Sequence, residues 1–323
     1  FGTDVPKGNY ADLTTKGFEL SVSWRDQFQL ASKPFNYEVR FTLADYQSTI
    51  DKYNNPEKKL GDDYYYEGMK VGEIWGYETE GFFTSQADID SHAKQPYFYA
   101  GATAGQWLPG DIKFKDLNGD GVIDYGNNTV DNPGDQKIIG NSEPRFIYGI
   151  NLSGDWNNFF VSAFFQGVGK QDWWPGSEAS YFWGMYNRPY NDMPKSHLGN
   201  IWTEENPNTY FPRLRGYSSE EPYAELNLKQ TRYLQNIAYI RMKNIQLGYT
   251  LPKSFISKLR MQNAKVYVSG ENLWSWSPFY KYSKDLDVEA VRGSDRDLTE
   301  GTSGNGYSYP ILKSVSFGLS VTF

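Results

Sequence analysis

At 323 residues the chain is long enough for one large all-β unit or two ordinary domains, and its net charge of −7 leaves no basic face for nucleic acid. The absence of cysteine excludes disulfides, thiolate metal sites and cysteine nucleophiles. No apolar run approaches the ~18 residues of a membrane helix, so any membrane crossing must be made by strands. Against a hydrophobic content of 39%, the 17% share of aromatic residues is the compositional anomaly.

In chain order, the first clear signals have period two. Phe18, Leu20, Val22 and Trp24 alternate with Glu19, Ser21, Ser23 and Arg25, and Phe35, Tyr37, Val39, Phe41 and Leu43 alternate with Asn36, Glu38, Arg40, Thr42 and Ala44. Phe146, Tyr148, Ile150 and Leu152 begin a third strand, which turns through Asp155 to Asn158 into Phe159–Gln166, so this pair reads as a hairpin. Ile245, Leu247, Tyr249 and Leu251 alternate with Asn244, Gln246, Gly248 and Thr250, and a further strand runs from Ala264 to Trp274. The last strand puts Val315, Phe317, Leu319, Val321 and Phe323 on one face and only Ser316, Gly318, Ser320 and Thr322 on the other. An uncharged polar face opposite an unbroken apolar one suits a wall between lipid and a wet lumen.

The connectors fall into two classes. Residues 26–34, 155–158 and 252–263 are short links, whereas about 48–143, 168–236 and 277–308 are long, polar and aromatic. Strict alternation of short and long links is the pattern of outer-membrane barrels, with short periplasmic turns and long extracellular loops, and it puts Phe323 at the periplasmic end. About seven strands is an odd number with two unpaired edges, which lipid does not tolerate. The strands are therefore expected to belong to a larger wall.

Several motifs carry possible chemistry. Asp116, Asn118, Asp120, the Val122 carbonyl and Asp124 occupy positions 1, 3, 5, 7 and 9 of a calcium-type loop, with Gly121 at the sharp turn. Position 12 is Asn127 in place of the bidentate glutamate, and no amphipathic helix flanks the loop, which excludes an EF-hand pair. The readings left open are a structural Ca²⁺ in an extracellular loop and a metal-free turn closed by Asx hydrogen bonds. The aromatic runs Tyr64–Tyr66, Trp173–Trp174 and Tyr181–Trp183 read as a contact surface for ligand or partner, or else as loop packing or an interfacial girdle. Trp24, Trp156 and Trp274, near strand ends, are better girdle candidates. His92 and His197 are the only histidines, and with no zinc-peptidase or nucleophile-elbow motif the sequence argues against an enzyme. The acidic pairs Glu204–Glu205 and Glu220–Glu221 read as solvated surface.

Taken together, a series of short segments resembles the C-terminal half of SusC/RagA-type TonB-dependent outer-membrane transporters. They are Thr15–Leu20; Gly110–Asp116 running into the calcium-like loop; Ile139–Gly140 with Pro144 and Tyr148–Gly149; Trp202–Asn208; Leu247–Pro252; and Ser269–Leu273. The resemblance runs from about residue 10 to Phe323, whose aromatic ring resembles the signal that marks barrel strands for assembly. It implies an all-β transmembrane antiparallel barrel of the 22-strand type, located in the bacterial outer membrane. It also implies a plug domain and TonB box, neither present in these 323 residues, a TonB complex acting through that plug, and a SusD-like lipoprotein lid. The expected substrate is an oligosaccharide or a peptide. Within this frame, loops 48–143 and 168–236 are expected to dock the lid and line the cavity, with Trp173, Trp174, Tyr181, Trp183 and Arg213 as contact candidates that no family motif fixes. The alternative is a secreted all-β carbohydrate-binding or glycan-cleaving protein with a calcium loop.

Overall fold

The structure is a computed structural model and describes residues 10–61, 64–96, 107–177, 179–215, 219–220, 224–291 and 309–323. Its frame is one antiparallel sheet of seven strands. These are β1 (Asp12–Leu30), β2 (Lys33–Lys52), β3 (Arg145–Trp156), β4 (Phe159–Lys170), β5 (Tyr239–Thr250), β6 (Asn263–Trp276) and β7 (Ser314–Thr322). Each pairs with its sequence neighbours, so the sheet is a simple meander. It is open: among the described residues it does not close into a barrel, and β1 and β7 are its edges.

The pairing register carries the alternation of each strand across the whole sheet. Trp24, Val39, Leu152, Ala163, Ile245, Gly270 and Val315 form one row, and Phe28, Phe35, Trp156, Phe159, Tyr249, Val266 and Leu319 form another nearer the short turns. On the opposite face lies the row Arg25, Glu38, Ser153, Ser162, Gln246, Ser269 and Ser316. Paired residues share a face, so a one-residue slip anywhere would mix the two. Large residues of the apolar face, among them Phe18, Leu20, Val22, Trp24, Leu152, Leu247 and Phe317, remain exposed. Along β1 this face carries Phe18, Leu20, Val22, Trp24 and Phe28, interrupted once by Asp26 opposite Tyr37. None of the described helices is long and apolar enough to cross a membrane.

The short connectors are tighter than the sequence suggests. β1 and β2 extend through most of the 26–34 link to a two-residue turn at Ala31–Ser32, both at positive φ. Asn157–Asn158 make the second such turn, at φ of 47° and 72°. Two successive left-handed residues give the turn whose twist matches the strands, and asparagine tolerates that region better than most residues. The third link holds a short helix, Lys253–Ile256, that starts after Pro252 and is continued by a 3-10 turn.

Two glycines on the polar face are required by close approach. A Cβ at Gly248 would overlap the ring of Phe160, and one at Gly318 would overlap Tyr267. In each case the aromatic residue is the direct cross-strand partner and lies over the glycine, covering backbone that has no side chain of its own.

The long connectors supply the hydrophobic cores. Beyond Ala44, β2 leaves β3 and pairs with β1 alone, and the returning chain meets it through Ile50 N to Met69 O (2.9 Å) and Val71 N to Ser48 O (2.9 Å). Ile50, Leu60, Tyr66 and Met69 make a small core there. The main core is built almost wholly of loop residues, including Phe114, Trp173, Phe182, Trp183, Tyr186, Phe211, Tyr233 and Phe279, joined on the sheet side by Val168 and Tyr239. Residues 292–308 of the third long connector lie outside the described residues.

Candidate functional site

The loop aromatics separate into packing and presenting residues. Trp173 and Trp183 are buried: Trp173 stands edge-on to Phe182 and Phe279, and the Trp183 indole donates to Pro175 O at 3.0 Å. Trp174 is half-buried against Trp183. These three therefore hold the loops together, and Trp173 and Trp183, expected as contact residues, have no face to offer a ligand. Burial wins because an indole removes more apolar area from water than any other side chain present. Tyr181, by contrast, is 55% exposed, and Tyr190 (81%), Leu198 (67%) and Met193 (42%) stand exposed near it in sequence. The last three were missed in the sequence because they are isolated from one another, and only the fold of 180–198 exposes them all.

Arg213, the remaining candidate, is part of a charge cluster. Its guanidinium lies 3.8 Å from Asp111, which is fully buried and is gripped at both carboxylate oxygens by Arg215. Leu108 N also donates to Asp111 (2.8 Å), and Glu225, itself buried, accepts from Ile112 N at 2.9 Å. Burial, reinforced by the Asp111 carboxylate, pushes Glu225 up to about 8. This cluster ties the segment around 111 to that around 215–225. Glu220 is buried too, against the expectation of a solvated pair, and Glu221 lies outside the described residues. His197 is buried against Phe211, with its Nε2 2.9 Å from Phe182 O, and burial lowers its pKa. Such a histidine is a packing residue.

A second clamp fastens the loop after β6 to the polar face of the sheet. Arg241 on β5 is buried and pairs with Asp287 (2.5 Å) and Glu289 (2.7 Å), and Lys243 pairs with Glu289 (2.5 Å). No sequence pattern announces either clamp, because the partners are more than 40 residues apart and follow no period.

In the calcium-type loop the side-chain oxygens are turned to backbone donors. Asp116 accepts from Gly119 N (2.6 Å) and Gly121 N (2.9 Å), Asn118 from Asp120 N (2.9 Å), Asp120 from Val122 N (2.9 Å) and Asp124 from Gly126 N (2.7 Å). Buried Asp135 closes the loop by accepting from Leu117 N (2.7 Å) and Asp124 N (2.9 Å). Among the described residues, no group of three or more acidic, histidine or cysteine side chains is placed to hold a metal. Phe323 follows the last paired residue of β7 and is 77% exposed.

Comparison with known proteins fits this geometry. No protein-family model matches the chain. Two TonB-dependent receptors of Formosa agariphila, P3 and P26, are each 26% identical to it, over 333 and 332 residues. The match covers 98% of the chain but only 29% and 30% of those receptors, so the chain spans under a third of their length. Among solved structures, the RagAB peptide transporter shares the fold with a TM-score of 0.64 at 17% identity, over 98% of the chain and 30% of that protein. The RagAB peptide importer in its open-open state gives 0.60 at 19% identity, over 97% and 29%. The sheet's seven strands lie in a chain that spans under a third of the relatives' length, and the 22 strands implied by the resemblance refer to a whole barrel. Over nearly its whole length the chain is thus similar in sequence to TonB-dependent receptors, and it shares the fold of the RagAB transporter.

Proposed function

We propose that the chain supplies wall strands and extracellular loops to a bacterial outer-membrane transporter that imports oligosaccharide or peptide nutrients with energy delivered through TonB. The observation that carries this reading is the exposed apolar face, continuous in register across all seven strands and uncovered by any described element. In water such a face would be an aggregation site, whereas in lipid it is the ground state of a barrel wall. The polar face then lines a lumen. Energy coupling belongs to the plug and TonB box, which are expected in the rest of the protein.

A SusD-like surface lipoprotein docks on the loops in this reading. The exposed residues Tyr181, Tyr190, Met193 and Leu198 suit such an interface, since tyrosine and methionine are enriched where proteins meet. Replacing Tyr181 and Tyr190 together by alanine is expected to weaken co-purification of the lipoprotein about tenfold while leaving the receptor in the membrane. Unchanged co-purification would remove this surface from the proposal. The transport reading itself is tested by uptake in cells with and without TonB, and by fractionation, where recovery of the receptor in the soluble fraction without detergent would overturn it.

A further inference from the structure

The connector between β5 and β6 carries charge without counter-charge. Between Thr250 and Asn263 it holds Lys253, Lys258 and Arg260 and no acidic residue, in a chain whose net charge is −7. All three cations are exposed, and no ion pair among the described residues engages them. We propose that this connector is a binding surface for the headgroups of anionic phospholipids in the periplasmic leaflet. The inference rests on the reading of the apolar face as a membrane wall.

Burial places the connector at the lipid boundary. Ala264 has the parity of Val266 and so belongs to the apolar face, yet it is buried where Val266 and Leu319 of that face stay exposed. The helix Lys253–Ile256 packs against β6, and its Ile256 is buried as well. The connector therefore laps over the periplasmic rim of the apolar face and does not turn into the lumen. The row of that face nearest the short turns is aromatic from Phe28 on β1 to Tyr249 on β5, and becomes aliphatic on β6 and β7 at Val266 and Leu319. Over that stretch the connector supplies the ring. Phe255 is 57% exposed, an apolar side chain outside every described core, and it continues the aromatic row at the level where barrels meet headgroups.

An exposed ring flanked by cations is the chemistry of an interfacial anchor, with the ring toward acyl chains and the charges toward phosphate. An ammonium meets phosphate as a point charge and a guanidinium meets it with two parallel hydrogen bonds, so such a set holds a headgroup without a shaped pocket. Arg260 adds a further sign. Its φ of 57° lies in the left-handed region, where asparagine or glycine is less strained. A cation kept where the backbone disfavours it points to a use for the charge. A small soluble anion is the weaker occupant, because it would leave Phe255 in water.

The test uses the intact receptor, purified in detergent from outer membranes and mixed with equal amounts of dioleoyl-phosphatidylglycerol and dioleoyl-phosphatidylcholine. Native mass spectrometry counts the lipids retained. The receptor is expected to prefer phosphatidylglycerol, and Lys253→Gln, Lys258→Gln and Arg260→Asn together are expected to lower its retention about tenfold with phosphatidylcholine unchanged. Phe255→Ser is expected to lower both lipids about threefold, since it removes the part that meets acyl chains. Asparagine suits the left-handed backbone, so Arg260→Asn alone, expected to lower phosphatidylglycerol about threefold, carries the test if the triple variant does not assemble. No preference for phosphatidylglycerol, a preference that survives these substitutions, or displacement of the lipid by inorganic phosphate would each overturn the inference. In those cases the receptor still needs detergent and the wall reading stands, whereas a receptor recovered soluble without detergent would remove both.

Discussion

Single residues decide whether an aromatic-rich loop presents a surface or a core, and neighbours in sequence have opposite fates here. Tyr181 is exposed while Trp183, two positions on, is fully buried. The sequence shows the aromatic run but not the side that faces inward, because that is set by the distant residues Phe211, Tyr233 and Phe279. Buried charges follow the same logic. Removing Arg215 leaves Asp111 charged and buried without its main partner, so Arg215→Ala is expected to destabilise the loop core by about 3–5 kcal/mol, read as faster proteolysis between 108 and 226. Glu225 makes the same region pH-sensitive. Folded, it keeps its proton up to about pH 8, whereas the unfolded chain releases it near the ordinary value of 4.5. Unfolding therefore releases a proton in that window, and the loop core loses stability as pH rises from 4.5 to about 8. Glu225→Gln is expected to flatten that part of a melting-temperature profile, and an unchanged slope would assign it elsewhere. In the calcium-type loop the backbone hydrogen bonds already supply closure. Asp135→Ala, which strips the acceptor from Leu117 N and Asp124 N, is expected to cost about 1–3 kcal/mol, while chelator leaves the melting temperature unchanged. A Ca²⁺ held by Asp116, Asn118, Asp120, the Val122 carbonyl and Asp124 would instead show as a Ca²⁺-dependent rise in that temperature.

At the scale of elements, the alternation of apolar and polar residues is the most legible signal, and the strand ends are the least. Ile245, Leu247 and Tyr249 fall on the exposed apolar face that their spacing predicts. The ends were misjudged for two physical reasons. Between Asp12 and Gly17 the strand is held by pairing with β2 and not by an apolar stripe, so no pattern marks it. At Ala31–Ser32 the turn lacks the usual asparagine or glycine, and the flanking ladder imposes left-handed φ on residues that do not favour it. The two faces should also respond differently to charge. Leu152→Arg, in the middle row of the apolar face, is expected to cost about 2–4 kcal/mol and reduce assembled receptor, whereas Asn151→Arg on the polar face is tolerated. Heat-modifiable mobility on gels reads both.

For the whole molecule, the division between sheet and loops organises everything else. The sheet has no core of its own beneath the apolar face, and the described hydrophobic cores belong to the loops, with a few strand residues joining from the ends. In water such a face is an aggregation hazard, and among the described residues the edges β1 and β7 are open to pairing with further strands. The meander order was legible from the alternation of short and long connectors. The packing of the long connectors was not, because it depends on contacts between residues around 111, 183, 215 and 279 that share no local pattern. The most direct test of the two-faced wall is a spin-label accessibility scan along residues 315–322 of the full receptor in lipid bilayers. Labels at 315, 317, 319 and 321 are expected to meet oxygen dissolved in lipid, while those at 316, 318, 320 and 322 meet a water-soluble nickel complex. Equal access of both reagents at odd and even positions would contradict it.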